Sequence, residues 1–187
     1  MSVRDGLLAI LTLGPAYGLQ LHSELASRTP HRKAVNVGQI YGTLDRLAKA
    51  KQIENAGKTD DGLPLYALTP LGKRGAERWM RDPVTGSLPE WTEMLDQILV
   101  TSSLDAVAAT KLAGAFRRWW DRDLAATRQS LQLAGLRHDT RLALVAREAQ
   151  AIAALAWIGA VTAALANNGS FRGYSGTRPR RGRRPNV

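Results

Sequence analysis

Cysteine is absent from this chain of 187 residues, and histidine occurs only three times. Without thiols the protein can form no disulfides, no thiolate metal sites and no cysteine nucleophile. His22, His31 and His138 are scattered without metal-ligand spacing, and neither a phosphate-binding glycine loop nor a nucleophile elbow is present. We therefore expect no enzyme activity, no metal site and no cofactor.

Acidic residues are also scarce, because 16 Asp and Glu stand against 26 Lys and Arg, a formal net charge of +10. The excess is uneven along the chain. Residues 1–81 carry a net +5, residues 82–171 a net −1, and residues 172–187 six Arg with no acidic residue. A surplus of this size indicates a polyanionic partner, either nucleic acid or an anionic membrane surface.

The composition also predicts the domain organisation. Residues 1–81 are expected to form a basic domain, residues 82–89 a linker rich in Pro, Gly and Ser, and residues 90–166 a helical domain. Residues 167–187 are predicted to be a disordered Arg-rich tail, since Gly, Pro and like charges bury no core. The tail could bind phosphates without sequence preference, but a merely solvated terminus is the interpretation we favour.

Two apolar stretches resemble segments that interact with membranes. Residues 6–13 resemble the apolar part of a signal peptide, but Asp5 lies in the segment that should be positive. Residues 149–168 contain no charge and are long enough to cross a bilayer. They are mostly Ala, however, and Arg147 and Glu148 extend the same helical pattern upstream. We expect a buried helix at a subunit interface, no membrane partner and a cytoplasmic protein.

The first domain shows three helical patterns, then two short strands, then a fourth helix. The helices are predicted near residues 7–13, 18–28, 36–50 and 70–80, and the strands at 52–56 and 63–68. The third helix begins at Asn36, a good N-cap, and Ile40, Leu44 and Leu47 continue its apolar stripe from Val37. Helices followed by a β-hairpin wing form a known arrangement for binding duplex DNA. The predicted fold is mainly α, with a winged helix-turn-helix domain followed by a helical dimerisation domain.

The second half of the chain predicts helices near residues 90–100, 104–134 and 139–166. The last helix carries small and apolar residues at near-heptad spacing. They are Leu142, Val145, Ala149, Ile152, Ala156, Gly159 and Ala163. Two long helices with wide apolar faces and one short neighbour cannot cover each other within one chain. We therefore predict a homodimer with this stripe in the interface.

Three segments of the first domain resemble the PadR family of winged helix-turn-helix regulators. They read LLAILTLGPAYGLQLHSEL, VGQIYGTLDRLAKAKQIE and LPLYALTPLGKR. The most specific features are Gly14 with Tyr17-Gly18, Ile40-Tyr41 with Leu44 and Leu47, and Tyr66 with Leu68-Thr69 and Gly72. The resemblance implies operator binding as a homodimer, with dimerisation through C-terminal helices as in the longer PadR subgroup.

The sequence departs from the family pattern at three places. Residues 50–52 replace a Glu-Gly-Leu-type ending of the third helix, and Gly42 replaces a common Pro. The wing tip carries Asp60 and Asp61 beside Lys58, where relatives are often basic. Because acidic side chains repel phosphates, we expect this wing tip to engage the DNA backbone less than a basic one would.

Opposite its apolar stripe, the third helix has a polar face that suits the major groove. The DNA-binding residues predicted are Asn36, Gly38, Gln39, Tyr41, Gly42, Thr43, Arg46, Lys49 and, in the wing, Lys58. Gln39 suits adenine and Arg46 suits guanine through paired hydrogen bonds. The two glycines would allow close approach, the Tyr41 and Thr43 hydroxyls would contact phosphates, and the lysines would add charge. An ordinary solvated helix face is the alternative interpretation.

Aromatic residues concentrate in the second domain. Trp91, Phe116, Trp119, Trp120 and Trp157 are predicted to line a pocket for a small aromatic or apolar effector that releases a repressor from DNA. Packing in the core or the interface is the more common role of such residues. A regulator of another winged-helix family, similar to MarR, and a helical protein-interaction module without specific DNA binding are the alternative functions.

Overall fold

The computed structural model describes residues 3–32, 35–83, 90–167 and 171–176. The chain folds as seven α-helices and one β-hairpin within these ranges, in the order that the sequence predicts. The helices are α1 (Val3–Ile10), α2 (Gly18–Arg28), α3 (Val37–Lys49), α4 (Pro70–Arg81), α5 (Trp91–Leu104), α6 (Ala106–Leu131) and α7 (His138–Asn167). The strands are β1 (Ile53–Lys58) and β2 (Pro64–Leu68), and a short 3₁₀ turn follows α1.

The first domain is built around α1, whose residues are apolar on nearly every side. Leu7, Ala9 and Ile10 are fully buried beneath α2, α3 and α4. From α3, the buried contributors are Ile40, Leu44 and Leu47. The predicted apolar stripe is therefore confirmed for these three positions, whereas Val37, its first member, is 36% exposed at the edge of the helix.

The wing is a two-stranded antiparallel hairpin, as predicted. The register pairs Ile53 with Leu68 and Asn55 with Tyr66, and it shifts before Lys58. Gly57 lies at this irregularity with a φ of 98°. A second bridge joins Ala16 to Tyr66, which fixes the hairpin against the segment between α1 and α2.

The turn between α3 and β1 has an unusual backbone. Lys51 is the one described residue other than glycine with a positive φ, at 55°. This is the position where the family pattern places glycine, which adopts that conformation without steric cost. The N-terminus of α4 packs directly on this turn: the Thr69 hydroxyl donates to the Lys51 carbonyl at 2.7 Å. A Cβ added at Gly72 would collide with the Gln52 backbone, which explains a glycine there.

The second domain packs α6 along α7, with α5 across them. Its core joins Met94, Phe116 and Trp120 to Ala154 and Ile158, all essentially inaccessible to solvent. Two ion pairs also join the long helices, Arg128 with Glu148 and Arg147 with Asp123.

Buried polar side chains of α5 make ion pairs and hydrogen bonds with the first domain. Asp96 has no exposed side-chain surface and pairs with Arg32 and His31 from the loop after α2. Burial raises the pKa of Asp96, whereas the positive charges of Arg32 and His31 oppose that shift. Next to it, the Gln97 amide donates to the Asp82 carbonyl at 2.7 Å, at the end of α4.

The predicted tail is wrong in its first part. Residues 171–176 do not leave the molecule as a solvated segment but lie against α1 and α2, where the Tyr174 hydroxyl donates to the Ile10 carbonyl at 3.2 Å and the Ser175 amide donates to the Glu24 carboxylate at 2.6 Å. The reason is a set of long-range hydrogen bonds that composition does not reveal. The remainder of the predicted tail, residues 168–170 and 177–187, and the larger part of the predicted linker, residues 84–89, lie outside the described residues.

Candidate nucleic-acid interface

The third helix presents a continuous exposed polar face. Its members are Asn36, Gly38, Gln39, Gly42, Arg46 and Lys49, all exposed to solvent. The Asn36 side chain accepts a hydrogen bond from the Gly38 amide at 2.7 Å and so caps the helix as predicted. The structure thus places six of the predicted DNA-binding residues on the exposed side of one helix.

Thr43 is not part of that exposed surface, so its predicted phosphate contact is wrong. Its side chain is 3% exposed, and its hydroxyl donates to the Gln39 carbonyl at 2.7 Å. The same hydroxyl accepts a hydrogen bond from the Arg46 guanidinium at 3.0 Å. The residue lies on the flank of the helix that faces the core, where its hydroxyl contacts the Arg46 side chain.

Tyr41 lies at the junction of three elements. It is 39% exposed, and its ring lies 2.6–2.9 Å from where a Cβ on Gly18 would stand. Glycine at the start of α2 therefore makes room for this ring. Burial raises the pKa of Tyr66 in β2, and the neighbouring Tyr41 phenol and Asp45 carboxylate of α3 raise it further. The α3 face and the wing are therefore neighbours.

The structure adds Arg4, which the sequence analysis missed. Its guanidinium donates to the Gln52 side chain at 2.9 and 3.2 Å and remains half exposed. Arg4 lines a cleft of about 600 Å³ together with Gln39 and Arg46. Nothing in the local sequence signals this, because Arg4 belongs to a helix that otherwise forms the core.

The two predicted lysines differ in their surroundings. Lys49 pairs with Asp45 at 2.7 Å on the exposed helix surface, a contact that contributes little to stability. Lys58 stands exposed at the end of β1, beside a cleft of about 460 Å³ between the wing and α2. The side chains around this cleft include those of Tyr17, Gln20, Ser23, Glu24 and Thr59.

The predicted effector residues form an aromatic cluster in the second domain. Phe116 and Trp120 are fully buried, and the Trp120 indole donates to the Met94 sulfur at 3.2 Å. These two residues pack the core. Trp91 and Trp157 are half-buried, with their rings edge to face at 5.9 Å.

Trp119, the fifth predicted effector residue, also lies half-buried and meets the Trp120 ring edge to face at 4.9 Å. It borders an open cleft of about 280 Å³, which it shares with Arg122, Asp123 and Arg147.

The predicted dimer stripe on α7 lies on the side of the helix that α6 does not cover. Leu142, Val145 and Ile152 are 57%, 50% and 47% exposed. The smaller positions Ala149, Ala156 and Ala163 are exposed as well, and Gly159 is half-buried. Within the described residues, α7 is also long and apolar enough to cross a membrane by length and composition.

Residues 7–78 match the model of the Transcriptional regulator PadR-like family. The matched segment runs from α1 through α4 and so contains the whole of the face described above. No curated protein matches the chain.

Among solved structures, the chain is similar to a PadR-like transcriptional regulator from Bacillus cereus, with 18% identity over 89% of this chain and 99% of that one, at a TM-score of 0.38. It is also similar to Bacillus subtilis PadR in complex with operator DNA, with 17% identity over 86% of this chain and 98% of that one, at a TM-score of 0.41. The chain is similar as well to Bacillus subtilis PadR in complex with p-coumaric acid, with 19% identity over 88% of this chain and 98% of that one, at a TM-score of 0.39.

Proposed function

We propose that this chain, whose residues 7–78 belong to the PadR-like family of transcriptional regulators, binds operator DNA as a cytoplasmic homodimeric repressor. The observation that carries the proposal is the exposed face of α3, where Gln39, Gly42 and Arg46 stand together on a capped helix. A helix of this kind fits a major groove about 12 Å wide.

Base readout would come from two side chains. Gln39 can pair with the edge of adenine and Arg46 with that of guanine through two hydrogen bonds each. Thr43 would support this role because its hydroxyl accepts a hydrogen bond from the Arg46 guanidinium and so restricts that side chain. Gly38 and Gly42 would let the backbone come close to the duplex.

Phosphate contacts would fix the helix in register. Arg4 and Lys49 flank the base-reading residues and would supply positive charge to the neighbouring phosphates. Lys58 would bind a phosphate next to the wing. Such contacts position the protein but carry no sequence information.

Dimerisation would proceed through α7. The helix leaves Leu142, Val145 and Ile152 exposed on one face, whereas Ala151, Ala154 and Ile158 on its other face are buried in the chain. A second copy would cover this apolar face, and its small residues would allow close helix approach. A symmetric dimer would then bind two half-sites related by the same two-fold axis.

An effector of aromatic or apolar character would bind next to Trp91, Trp119 and Trp157, which retain exposed surface. The buried Phe116 and Trp120 would form the floor behind them. Because tryptophan fluorescence reports on these rings, titration with planar aromatic compounds tests this part. Quenching accompanied by release from DNA supports the effector site. If no compound in the panel causes quenching or release, the effector site is rejected.

The direct test of the proposed function is in vitro selection of duplexes from a random library, followed by footprinting of the recovered sequence. We expect a two-fold symmetric site with half-sites about one helical turn apart, or a multiple of that spacing. The Arg46→Ala variant serves as the specificity control. Failure to enrich any sequence, with uniform binding to all duplexes, would leave the alternative of a protein-interaction module.

A further inference from the structure

Gln52 is a polar residue at a nearly buried position, in the turn between α3 and β1. It is 8% exposed. Its backbone amide donates to the Leu47 carbonyl at 2.9 Å, and its carbonyl accepts from the Thr69 amide at 3.0 Å. Its side-chain amide nitrogen lies 3.6 Å from where a Cβ on Gly75 would stand. Contacts with both α3 and α4 therefore define where this side chain lies.

This residue is one of those at which the sequence departs from the family pattern. Gln52 is the last of the three residues that replace the Glu-Gly-Leu-type ending of the third helix. A leucine would fill a similar space but would offer no hydrogen-bond acceptor. The Gln52 Oε1 atom accepts from Arg4 Nη2 at 2.9 Å and from Arg4 Nε at 3.2 Å. The departure thus creates a specific polar contact between this turn and α1.

Arg4 keeps the capacity to bind an anion although Gln52 holds it. A guanidinium has five N–H groups. Gln52 accepts from two of them, and the neighbouring Asp5 carboxylate accepts from a third at 3.0 Å. Two N–H groups remain without a partner in the described part of the chain, and the side chain is half exposed. The contact with Gln52 therefore restricts the guanidinium without using all of its donors.

The cleft of about 600 Å³ beside α3 is lined by charges of one sign. Arg4 and Arg46 are cationic, whereas Gln39 and Gln52 are polar and neutral. No carboxylate is among the described residues that line this cleft, and Asp5 contacts Arg4 from outside that set. A concave surface with charges of one sign attracts ions of the opposite sign. This cleft therefore suits an anion.

The cleft adjoins the face proposed to read bases, because Gln39 and Arg46 belong to both. A helix with its side chains is about 10–12 Å across, and it fills a major groove about 12 Å wide. The flanks of α3 would then lie next to the two sugar-phosphate backbones that border the groove. The anion nearest to this cleft would be a phosphate of the strand on the α1 side of α3.

We propose that Gln52 is a positioning residue for phosphate recognition: it holds the Arg4 guanidinium at this cleft, where Arg4 binds one DNA phosphate per half-site. The inference rests on the proposed function, because it requires the α3 face to lie in the groove of an operator. A guanidinium that is already held in place loses less conformational entropy when it binds. Gln52 would thus raise the affinity without itself contacting DNA.

The first experiment is a double-mutant cycle on DNA affinity, with Arg4→Gln, Gln52→Leu and the double variant. Each protein is titrated with the selected duplex and its single-base variants at several salt concentrations, and thermal unfolding checks that each protein folds. Gln52→Met is a second variant without the amide group, for use where leucine disturbs the packing. Arg117→Gln is the charge-matched control, because Arg117 is 59% exposed on α6, where it pairs with Asp121.

We expect Arg4→Gln to bind every duplex about 3–10-fold more weakly per half-site, because a phosphate contact carries no sequence information. The slope of log affinity against log salt should fall by about 0.9 per protomer, and it should stay unchanged in Arg117→Gln. An unchanged slope in Arg4→Gln, or an equal fall in Arg117→Gln, would overturn the proposed phosphate contact.

Gln52→Leu retains every charge, so it should weaken binding only through the freed Arg4 side chain, by about 2–5-fold. In the Arg4→Gln background the same substitution should have no further effect. A purely structural role of Gln52 would instead lower the affinity equally in both backgrounds. That result, or full affinity of Gln52→Leu while Arg4 is present, would reject the positioning role.

The second experiment locates the phosphate. Each phosphate of a half-site is replaced in turn by a neutral methylphosphonate, and the affinity of each protein is measured. We expect Arg4→Gln to lose its sensitivity at one position where the unchanged protein is sensitive, and Gln52→Leu to show a reduced sensitivity at the same position. Identical profiles for Arg4→Gln and the unchanged protein would contradict the proposal. Uniform binding of all duplexes by the unchanged protein would instead reject the proposed function itself.

Discussion

The hydroxyl of Thr43 accepts a hydrogen bond from the Arg46 guanidinium at 3.0 Å and donates one to the Gln39 backbone carbonyl at 2.7 Å. One buried side chain thus links the two residues proposed to read bases. Because an Arg side chain is otherwise flexible, a fixed guanidinium loses less conformational entropy when it binds guanine.

We expect Arg46→Ala to weaken binding to the selected duplex by about 1–3 kcal/mol and to relax preference at one base pair. The measurement is a titration of the selected duplex and its single-base variants. Lys58→Ala is the matched control, because it should weaken all duplexes alike and reduce the salt slope by about 1. Unchanged affinity and unchanged preference in Arg46→Ala would show that α3 does not enter the groove.

Gly42→Ala should separate stability from binding. A Cβ at this position meets no atom within 4 Å, and alanine is favoured over glycine in a helix by roughly 0.5–1 kcal/mol. We therefore expect a more stable protein that binds DNA less tightly, since the added methyl group lies between helix and groove. Urea unfolding and duplex titration measure the two effects.

Gly114→Ala, in α6, is the control for the glycine substitution. Its Cβ would make only an ordinary contact with Arg118 at 3.7 Å. This variant should gain stability without losing affinity. If Gly42→Ala also bound DNA like the unchanged protein, the close approach at position 42 would be contradicted.

The sequence predicted the elements of the first domain because each has a local signal. Apolar spacing defined α3, Asn36 marked its start, and the turn residues before Leu63 defined the wing. Thr43 was assigned wrongly since a threonine beside the apolar stripe can face either way, and only the packing of α3 decides which.

The contacts of residues 171–176 were missed for a different reason. Composition predicts disorder for a segment of Gly and Arg, but it carries no information on distant partners. A Glu and an Arg four residues apart in α2 look like an ordinary surface pair. Their burial depends on α5 and the C-terminus lying over them, which is a property of the assembled fold alone.

Lys51→Gly should stabilise the protein. Lys51 holds a φ of 55°, a conformation that costs an ordinary side chain about 1–2 kcal/mol and glycine almost nothing. Part of the gain is lost because glycine is more flexible when unfolded, so we expect a net increase of roughly 0.5–1 kcal/mol. Lys51→Ala keeps the Cβ and should show no such gain in urea unfolding. Equal stabilities of the two variants would contradict the backbone explanation.

Tyr174→Phe should change how stability depends on pH. Burial raises the pKa of Tyr174 above its ordinary value, although the positive charge of Arg28 opposes that shift. Above pH 10 the unfolded chain loses this proton while the folded chain retains it, so the free energy of unfolding falls as pH rises. The variant should be less stable at pH 7 by about 0.5–1.5 kcal/mol, through the lost hydrogen bond.

The difference in unfolding free energy between the two proteins should therefore shrink as the pH rises from 8 to 11. Urea unfolding at several pH values measures it, and the other tyrosines cancel because both proteins contain them. Parallel profiles over this range would show that the hydroxyl is not held in the buried contact with Gly14 and Ile10.

Ile152→Glu should abolish dimerisation. Ile152 is 47% exposed at the middle of the apolar stripe on α7, and a glutamate there would place two charges in the interface. We expect sedimentation equilibrium to show a dimer for the unchanged protein and a monomer for the variant, with helix content retained. Val107→Glu is the matched control, because Val107 is 66% exposed at the start of α6 and is not a member of the stripe. If Ile152→Glu remained dimeric and Val107→Glu did not, the two copies would meet through α6 instead of α7.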